Sequence, residues 1–278
     1  MKTCLVKSMH DTRIYPRSVF FEEIKNTNPY DFFIDTPWVG IIMAFEADFL
    51  ILEHQDESIF ANYDFIFTMY PILNKKFKKD QKLFYFELEP EDLAPIIGRS
   101  WNSLNQIPVE PYDYLLNNYE IKTNNDKNIP FHYYYDLNLF PKQEKQENLF
   151  LLQRRTQYNN DKIKIWKESD DHPHYIMKFK EYQEKLAKSE ASITLCKNGA
   201  SGQIVAESIL SGTAAFATEN KLFSKILLPS DFIIDNIDDI NNKLDNKIYQ
   251  NKDLLNFAFN NLYKIDYKNA KKYLLDRI

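Results

Sequence analysis

The chain has 278 residues, of which 44% are hydrophobic, 15% aromatic and 27% charged. This composition can fill the core of one large domain or two ordinary ones, and it argues against a disordered chain. The net charge of -5 argues against a surface coated with positive charge for nucleic acid, although it leaves room for a local basic patch. We expect a cytoplasmic protein, because no signal peptide and no apolar run long enough to span a membrane is visible.

Continuous apolar runs in the first half predict strands that are covered on both faces, as in a parallel sheet. The predicted strands are Thr3–Lys7, Tyr63–Thr68, Lys82–Glu87 and Pro130–Tyr135. Residues 39–52 fit either a strand or the start of a buried helix. Residues 90–130 are rich in Pro, Asn and Asp, which predicts a loop with one or two helices.

A polar stretch at residues 142–148 predicts a joint between two α/β halves, 1–145 and 146–278. In the second half, the spacing of apolar residues predicts further strands and helices. The strands are Leu149–Gln153, Ile163–Trp166 and Asp231–Asp235, and the helices are Phe179–Lys188, Asn236–Leu244 and one or two within 251–278.

Thiol and imidazole groups give little sign of a metal site. Cys4 and Cys196 both fall in predicted buried strands, which favours reduced core thiols over a disulfide or a metal site. His172 and His174 flank Pro173, but their spacing does not share a helical face and no third ligand is evident. We therefore interpret that segment as a loop.

Three of the five glycines, Gly199, Gly202 and Gly212, lie within fourteen residues. The segment around them predicts a strand, a glycine turn, a short helix that carries Glu207, a glycine stop and another strand. Because a helix N-terminus behind a glycine turn is a ready anion site, a phosphorylated ligand would bind here first.

The segment Asn198–Ala217 resembles the sugar-nucleotide-binding domain of GT-B-fold glycosyltransferases. The resemblance implies an α/β fold of two Rossmann-like parallel-sheet domains that face a cleft, with a C-terminal helix crossing back. It assigns 1–145 to an acceptor-side domain and 146–278 to a nucleotide-sugar-binding domain. The implied activity is transfer of a sugar from a nucleotide sugar, UDP-linked by preference, to an acceptor hydroxyl.

Within that fold, the layout is similar to phage DNA β-glucosyltransferases, which move glucose from UDP-glucose to hydroxymethylated cytosine in duplex DNA. The similar segments are Asn62–Phe67, Leu83–Glu89, Arg99–Asn102, Phe131–Tyr135 and Gln153–Gln157. The similarity implies a hydroxymethylated base in phage DNA as acceptor, and the host cytoplasm as location. Two alternatives stay open: transfer to a cell-surface glycan or protein, and a non-catalytic nucleotide-sugar-binding protein of the same fold.

Two features depart from the resemblance. The first loop, Met9–Arg13, lacks the glycine that is often present there in GT-B enzymes. The chain is also shorter than typical relatives.

On the donor side, the resemblance implies that the Glu207 carboxylate accepts hydrogen bonds from the ribose hydroxyls. The alternative is a solvated helical acid. The diphosphate would meet backbone N–H groups of the turn, with a further hydrogen bond from Ser201. The residues concerned are Asn198, Gly199, Ser201, Gly202 and Gln203. Arg154 and Arg155 would stabilise charge on the departing diphosphate, unless they form a surface pair.

Inverting transfer needs a base for the acceptor hydroxyl. Acids cluster after the strand at 82–87, so Glu89 is the first candidate base and Glu87 the second, against a solvated acidic loop. His10 beside Asp11 is a rival base or a structural histidine. No Asp-x-Asp signature of metal-dependent GT-A enzymes stands at a strand end, so we do not expect a metal requirement.

A lysine run offers a contact surface for a DNA acceptor. Its members are Lys75, Lys76, Lys78 and Lys79. They would bind DNA phosphates, or they form a solvated face. The sequence leaves the oligomeric state open.

Overall fold

The computed structural model describes residues 1–7, 36–68, 72–87, 111–117, 127–138, 140–146, 148–152, 160–162, 164–167, 179–195, 202–219 and 222–278. The chain divides into two compact units. The first unit contains the described residues up to Tyr134 together with Tyr267–Ile278, and the second contains those within Tyr135–Asp266.

Both units contain parallel strands and α-helices. The strands are β1 (Thr3–Lys7), β2 (Asp48–Ile51), β3 (Phe65–Thr68), β4 (Lys82–Glu87), β5 (Tyr114–Asn117), β6 (Asn128–Pro130), β7 (Leu149–Leu152), β8 (Lys164–Lys167), β9 (Ala191–Thr194) and β10 (Ala214–Ala217). The described α-helices are α1 (Thr36–Phe45), α2 (Phe179–Lys188), α3 (Gln203–Leu210), α4 (Leu222–Leu227), α5 (Ile237–Asp245), α6 (Lys252–Asn260) and α7 (Tyr267–Leu275).

The first unit contains a six-stranded parallel sheet in the order β2-β1-β3-β4-β5-β6. Successive residues of a strand point to opposite faces, and both faces are covered. Phe67 stacks on Phe84 on one face, with ring centroids 4.8 Å apart. Ile66 and Leu83 are buried in a separate cluster on the other face. The continuous apolar runs therefore mark strands buried on both sides, as predicted.

Two helices pack together on the first of these faces. Helix α7 lies against α1, so the last helix of the chain belongs to the first unit and crosses back as the resemblance implies. Gly40 of α1 approaches the backbone so closely that a Cβ there would lie 1.8 Å from the carbonyl oxygen of Tyr134. Only glycine allows this approach without displacing the helix.

The second unit contains a four-stranded parallel sheet in the order β10-β9-β7-β8. Helix α3 packs against β9 and β10. Ser208 of α3 and Ser192 of β9 are small enough to permit this packing. The Ser208 hydroxyl donates a hydrogen bond to that of Ser192 at 2.7 Å. In chain order, the strands of the first sheet come before residue 145 and those of the second come after it. The domain boundary itself stays a prediction.

Several predicted elements need correction. The ambiguous residues 39–52 form the end of α1 and then β2. Residues 90–130 contain β5 and β6, so a loop with helices is wrong at those positions. Both strands are short and bordered by Asn, Asp or Pro, which favour turns and hide the strand signal.

Two predicted strands are mostly wrong. The strand at Pro130–Tyr135 instead ends at Pro130, and the buried aromatic residues after it pair only through a bridge from Tyr135 to Asp266. The strand at Asp231–Asp235 is reduced to one bridge, from Ile233 to Ala217. The ammonium group of Lys243 binds the carbonyl oxygens of Asp231 and Ile233, which occupies acceptors that a longer strand would use.

Candidate functional site

Helix α3 begins behind a glycine in the left-handed conformation. Gly202 has φ 62° and ψ 46° and caps the helix, with its carbonyl accepting from the Val205 N–H at 2.8 Å. Glycine adopts these angles at little cost, whereas other residues are strained there. The N–H groups of Gln203 and Ile204 precede the first bond of the helix, so they can bind an external acceptor at this end.

Glu207 lies one turn inside α3 and is only 3% exposed. Every residue from Ile204 to Leu210 is buried, and Glu207 is the only ionisable residue of the helix. The alternative of a solvated helical acid is therefore wrong. An acid in such surroundings costs stability unless polar groups compensate for its lost hydration.

Tyr182 supplies one such compensating group. Its hydroxyl donates a hydrogen bond of 2.5 Å to Oε2 of Glu207. Tyr182 comes from α2 and is 2% exposed. Its helical spacing with Leu186 places both on the buried face of α2, whereas the pair Glu181 and Lys185 is half-exposed and ion-paired at 3.0 Å.

Sequence reasoning missed Tyr182. The available signal was the helical spacing of the 179–188 segment, which puts a tyrosine on its apolar face. A buried tyrosine hydroxyl normally has a hydrogen-bond partner.

The end of α3 confirms the predicted glycine stop. Gly212 has φ 72°, and its N–H bonds to the carbonyl of Ile209 at 3.0 Å. The Thr213 N–H bonds to the carbonyl of Ser208 at 2.8 Å, which completes a Schellman motif. Helix α3 is thus bounded by a left-handed glycine at each end.

The structure describes only some of the residues that we predict to bind the diphosphate. Gly202 and Gln203 form the start of α3, and Gln203 is half-buried. Asn198, Gly199, Ser201, Arg154 and Arg155 lie outside the described residues. The strands before those segments, β9 and β7, are parallel neighbours, so the chain leaves both at the same edge of the sheet.

The candidate bases fall mostly outside the described residues as well. Glu89 and His10 are in that part of the chain. Glu87 is the last residue of β4, where it pairs in register with Asn117 of β5. The carboxyl edge of a parallel sheet, where Glu87 stands, is the edge at which such sheets bind ligands.

The lysine run lies at the opposite edge of the six-stranded sheet. Lys78 pairs with Asp64 at 2.6 Å, and Asp64 directly precedes β3. Lys76 pairs with Asp113 at 2.5 Å, and Asp113 directly precedes β5. These contacts place the run at the amino edge of the sheet, away from the carboxyl ends of its strands.

Most of the run's charge is also neutralised locally. Lys75 pairs with Glu57 at 2.5 Å. Lys79 is exposed and makes no ion pair with any described residue. The geometry therefore gives no support for phosphate contacts by these lysines at a site on the carboxyl edge.

The described part of the chain lacks two features. No helix among them has the length and apolar character needed to cross a bilayer. No group of three or more His, Cys, Asp or Glu within them could hold a metal ion. Cys4 is a buried free thiol whose pKa is raised by burial, and Cys196, His172 and His174 lie outside the described residues.

Known proteins match this chain in structure and not in sequence. No protein-family model and no curated protein matches the sequence. Anabaena Alr3699/HepE in complex with UDP matches at a TM-score of 0.57 and 10% identity, over 99% of each chain. TarM matches at 0.54 and 10% identity over 76% of this chain and 54% of TarM, so this chain spans about half of TarM.

Two further solved structures also match. A mutant of T4 phage BGT in complex with UDP-glucose gives a TM-score of 0.52 at 12% identity, over 99% of this chain and 98% of that one. The DNA-modifying enzyme β-glucosyltransferase, solved with and without UDP-glucose, gives 0.50 at 11% identity over the same shares. The chain has a GT-B-like fold. The GT-B-like fold accounts for both parallel sheets and for the last helix in the first unit.

Proposed function

We propose that this chain is a glycosyltransferase that uses a nucleotide sugar, with a UDP-linked donor. The observation that carries the proposal is the acid Glu207, buried in α3 behind the left-handed Gly202. The GT-B-like fold adds support, because solved structures that share it hold UDP or UDP-glucose.

The donor would bind on the second unit. A carboxylate can accept hydrogen bonds from both ribose hydroxyls, which a neutral side chain does less well. The N-terminal N–H groups of α3 would face the diphosphate, together with Asn198, Gly199 and Ser201 of the preceding turn. Arg154 and Arg155 would stabilise the negative charge of the leaving diphosphate.

The transfer step breaks the bond between the anomeric carbon and the diphosphate oxygen. The acceptor oxygen forms the new bond to that carbon, the nucleoside diphosphate leaves with the electron pair, and a base takes the acceptor's proton. Glu89 is the first candidate for this base, with Glu87 and His10 as rivals. Glu87 is supported by its place at the end of β4.

For the acceptor, we propose a hydroxymethylated base in DNA. The support is the shared fold with a DNA-modifying β-glucosyltransferase. The lysine run gives this DNA acceptor no support, because its ion pairs hold it at the amino edge of the sheet. Transfer to a glycan or a protein instead would refute this part of the proposal and leave donor use intact.

Nucleotide-dependent stabilisation tests the donor half. A ligand that binds only the folded protein, at a hundredfold its Kd, raises the free energy of unfolding by about 2.7 kcal/mol. UDP and UDP-glucose are expected to raise the melting temperature by several degrees, and Glu207→Gln should remove most of that rise. Glu181→Gln is the matched control, since Glu181 is a half-exposed acid on α2. If no nucleotide or nucleotide sugar raises the melting temperature, the proposal fails.

Product formation separates an enzyme from a binding protein. The best donor is offered to hydroxymethylated DNA, and both UDP release and sugar incorporation are measured. We expect turnover that is lost in Glu89→Gln or Glu87→Gln, while donor binding persists. Donor binding without turnover on DNA, glycan or protein acceptors would favour the non-catalytic alternative.

A further inference from the structure

We propose that Tyr182 is a positioning residue for ribose recognition. Building on the function proposed above, its hydroxyl holds the Glu207 carboxylate in the orientation that distinguishes a ribose from a deoxyribose. The observation behind this proposal is the 2.5 Å hydrogen bond from the Tyr182 hydroxyl to Oε2 of Glu207, with both side chains almost wholly buried.

The tyrosine is itself held in place. Its ring lies on the buried face of α2 with Leu186 and Ala187, so packing restricts its rotamer. A glutamate's last torsion is broad and roughly two-fold, so a carboxylate without a fixed partner can rotate about it. The Tyr182 hydroxyl on Oε2 limits that rotation.

A second contact fixes the two helices relative to each other. The Thr213 hydroxyl, just beyond the end of α3, donates to the carbonyl of Leu186 in α2 at 2.8 Å. The Lys145 ammonium group joins the same junction, with 2.7 Å to the carbonyl of Ala187 and 2.5 Å to Oγ1 of Thr213. The helix that carries Tyr182 and the helix that carries Glu207 are thus tied at two points.

Fixing the carboxylate has a specific consequence for selectivity. A site built to hydrogen-bond a substrate hydroxyl rejects an analogue that lacks it, because the polar group of the site then loses its partner. Selectivity for the 2′-hydroxyl therefore depends on holding the carboxylate in one orientation. A freely rotating carboxylate would turn to bind the remaining 3′-hydroxyl and tolerate the deoxy sugar.

Affinities of the full chain for UDP and 2′-deoxy-UDP, measured by titration calorimetry, test the proposal. Tyr182→Phe keeps the ring and removes the hydroxyl. We expect it to weaken UDP binding on the order of tenfold, the lower end of the effect of removing supporting hydrogen bonds at metal sites. Binding of 2′-deoxy-UDP should weaken far less, so the ratio of the two affinities falls.

Two further variants keep the test decisive. Thr213→Val loosens the second tie but leaves the Tyr182 hydroxyl, and it should lower the ratio less than Tyr182→Phe does. Tyr112→Phe is the matched control, because Tyr112 is a buried tyrosine in the first unit whose hydroxyl accepts from the Leu73 N–H at 2.8 Å. It should lower the melting temperature and leave the ratio unchanged.

The outcomes separate this proposal from the proposed function. An equal loss of affinity for both ligands in Tyr182→Phe would mean that the tyrosine only stabilises the fold, and it would overturn the proposal alone. If the unaltered chain binds neither UDP nor 2′-deoxy-UDP, the proposed function fails and this proposal fails with it. A lower ratio in Tyr182→Phe and an unchanged one in Tyr112→Phe would support it.

Discussion

Replacing Glu207 by methionine tests whether a buried acid is retained for binding at the expense of stability. Methionine has a similar shape and no charge, so Glu207→Met removes the cost of burying the carboxylate. It also removes the Glu207 carboxylate that accepts from the Tyr182 hydroxyl. Adding Tyr182→Phe removes that second polar group and leaves an apolar contact between α2 and α3.

The expected magnitudes follow from the near-complete burial of both side chains. Replacing a buried ion pair by apolar side chains of similar volume is neutral or stabilises by about 1–4 kcal/mol, and we take the same range for this carboxylate and its hydroxyl donor. Taking an acceptor away from a buried hydroxyl costs about 1–3 kcal/mol, so Glu207→Met alone should change stability little. The double variant should exceed the unaltered chain by about 1–3 kcal/mol, or roughly 2–4 °C in melting temperature for each kcal/mol. Tyr182→Phe alone should lose about 3 kcal/mol, because it takes a donor from a buried carboxylate.

Thermal unfolding followed by circular dichroism gives the four stabilities, and UDP titration gives the four affinities. Loss of two hydrogen bonds to an ionised group, at about 1.5 kcal/mol each, predicts about 150-fold weaker UDP binding in both Glu207 variants. A double variant that binds UDP poorly and melts higher would show stability exchanged for function. A double variant less stable than either single one would refute the reasoning, since the pair would then be structural.

Three further substitutions test the packing. Gly40→Ala should destabilise the protein by about 2 kcal/mol. The added Cβ would lie 1.8 Å from the Tyr134 carbonyl oxygen and force the helix outward, and this strain exceeds the gain in helix propensity. An unchanged melting temperature would contradict this contact. Gly212→Ala should cost only about 1 kcal/mol, because the added Cβ finds ordinary space and only the left-handed backbone is strained; a cost equal to that of Gly40→Ala would contradict this assignment. Burial lowers the pKa of Lys145 from 10.5 to about 8. The unfolded chain then binds more protons between these pH values, so the free energy of unfolding should rise from about pH 8 to about pH 10.5. Lys145→Met should remove that part of the rise in denaturant titrations at each pH, and an identical pH dependence in both proteins would refute the assignment.

The strands were predictable where apolar residues run continuously. Thr3–Lys7 and Lys82–Glu87 have the predicted bounds, as does helix Phe179–Lys188. In each case local pattern and burial agree, because the strands are covered on both faces and the helix buries one side. The strand at Pro130–Tyr135 failed because its aromatic residues are buried without pairing. Burial creates an apolar run whether or not a ladder forms.

The surroundings of Glu207 were not predictable in the same way. Helix α3 is buried on every side, so its sequence has no polar face by which the position of an acid could be judged. One partner of that acid, Tyr182, lies on another helix, 25 residues earlier in the chain. Such a contact depends on how α2 and α3 pack against each other, and no local spacing records it.

Strand direction decides between the two charged segments of the first unit. In a parallel sheet, a loop leaves one strand at the carboxyl edge and must reach the amino edge before the next strand begins. Lys78 and Lys79 come just before β4, so they lie at the amino edge, where Lys78 meets Asp64. Glu87 ends the same strand and therefore stands at the carboxyl edge, where ligands bind. The rule that separates the lysines from the carboxyl edge keeps Glu87 there, so Glu87 stays a candidate for the proposed base. Glu89 and His10 follow β4 and β1 in the chain, and they stay candidates as well.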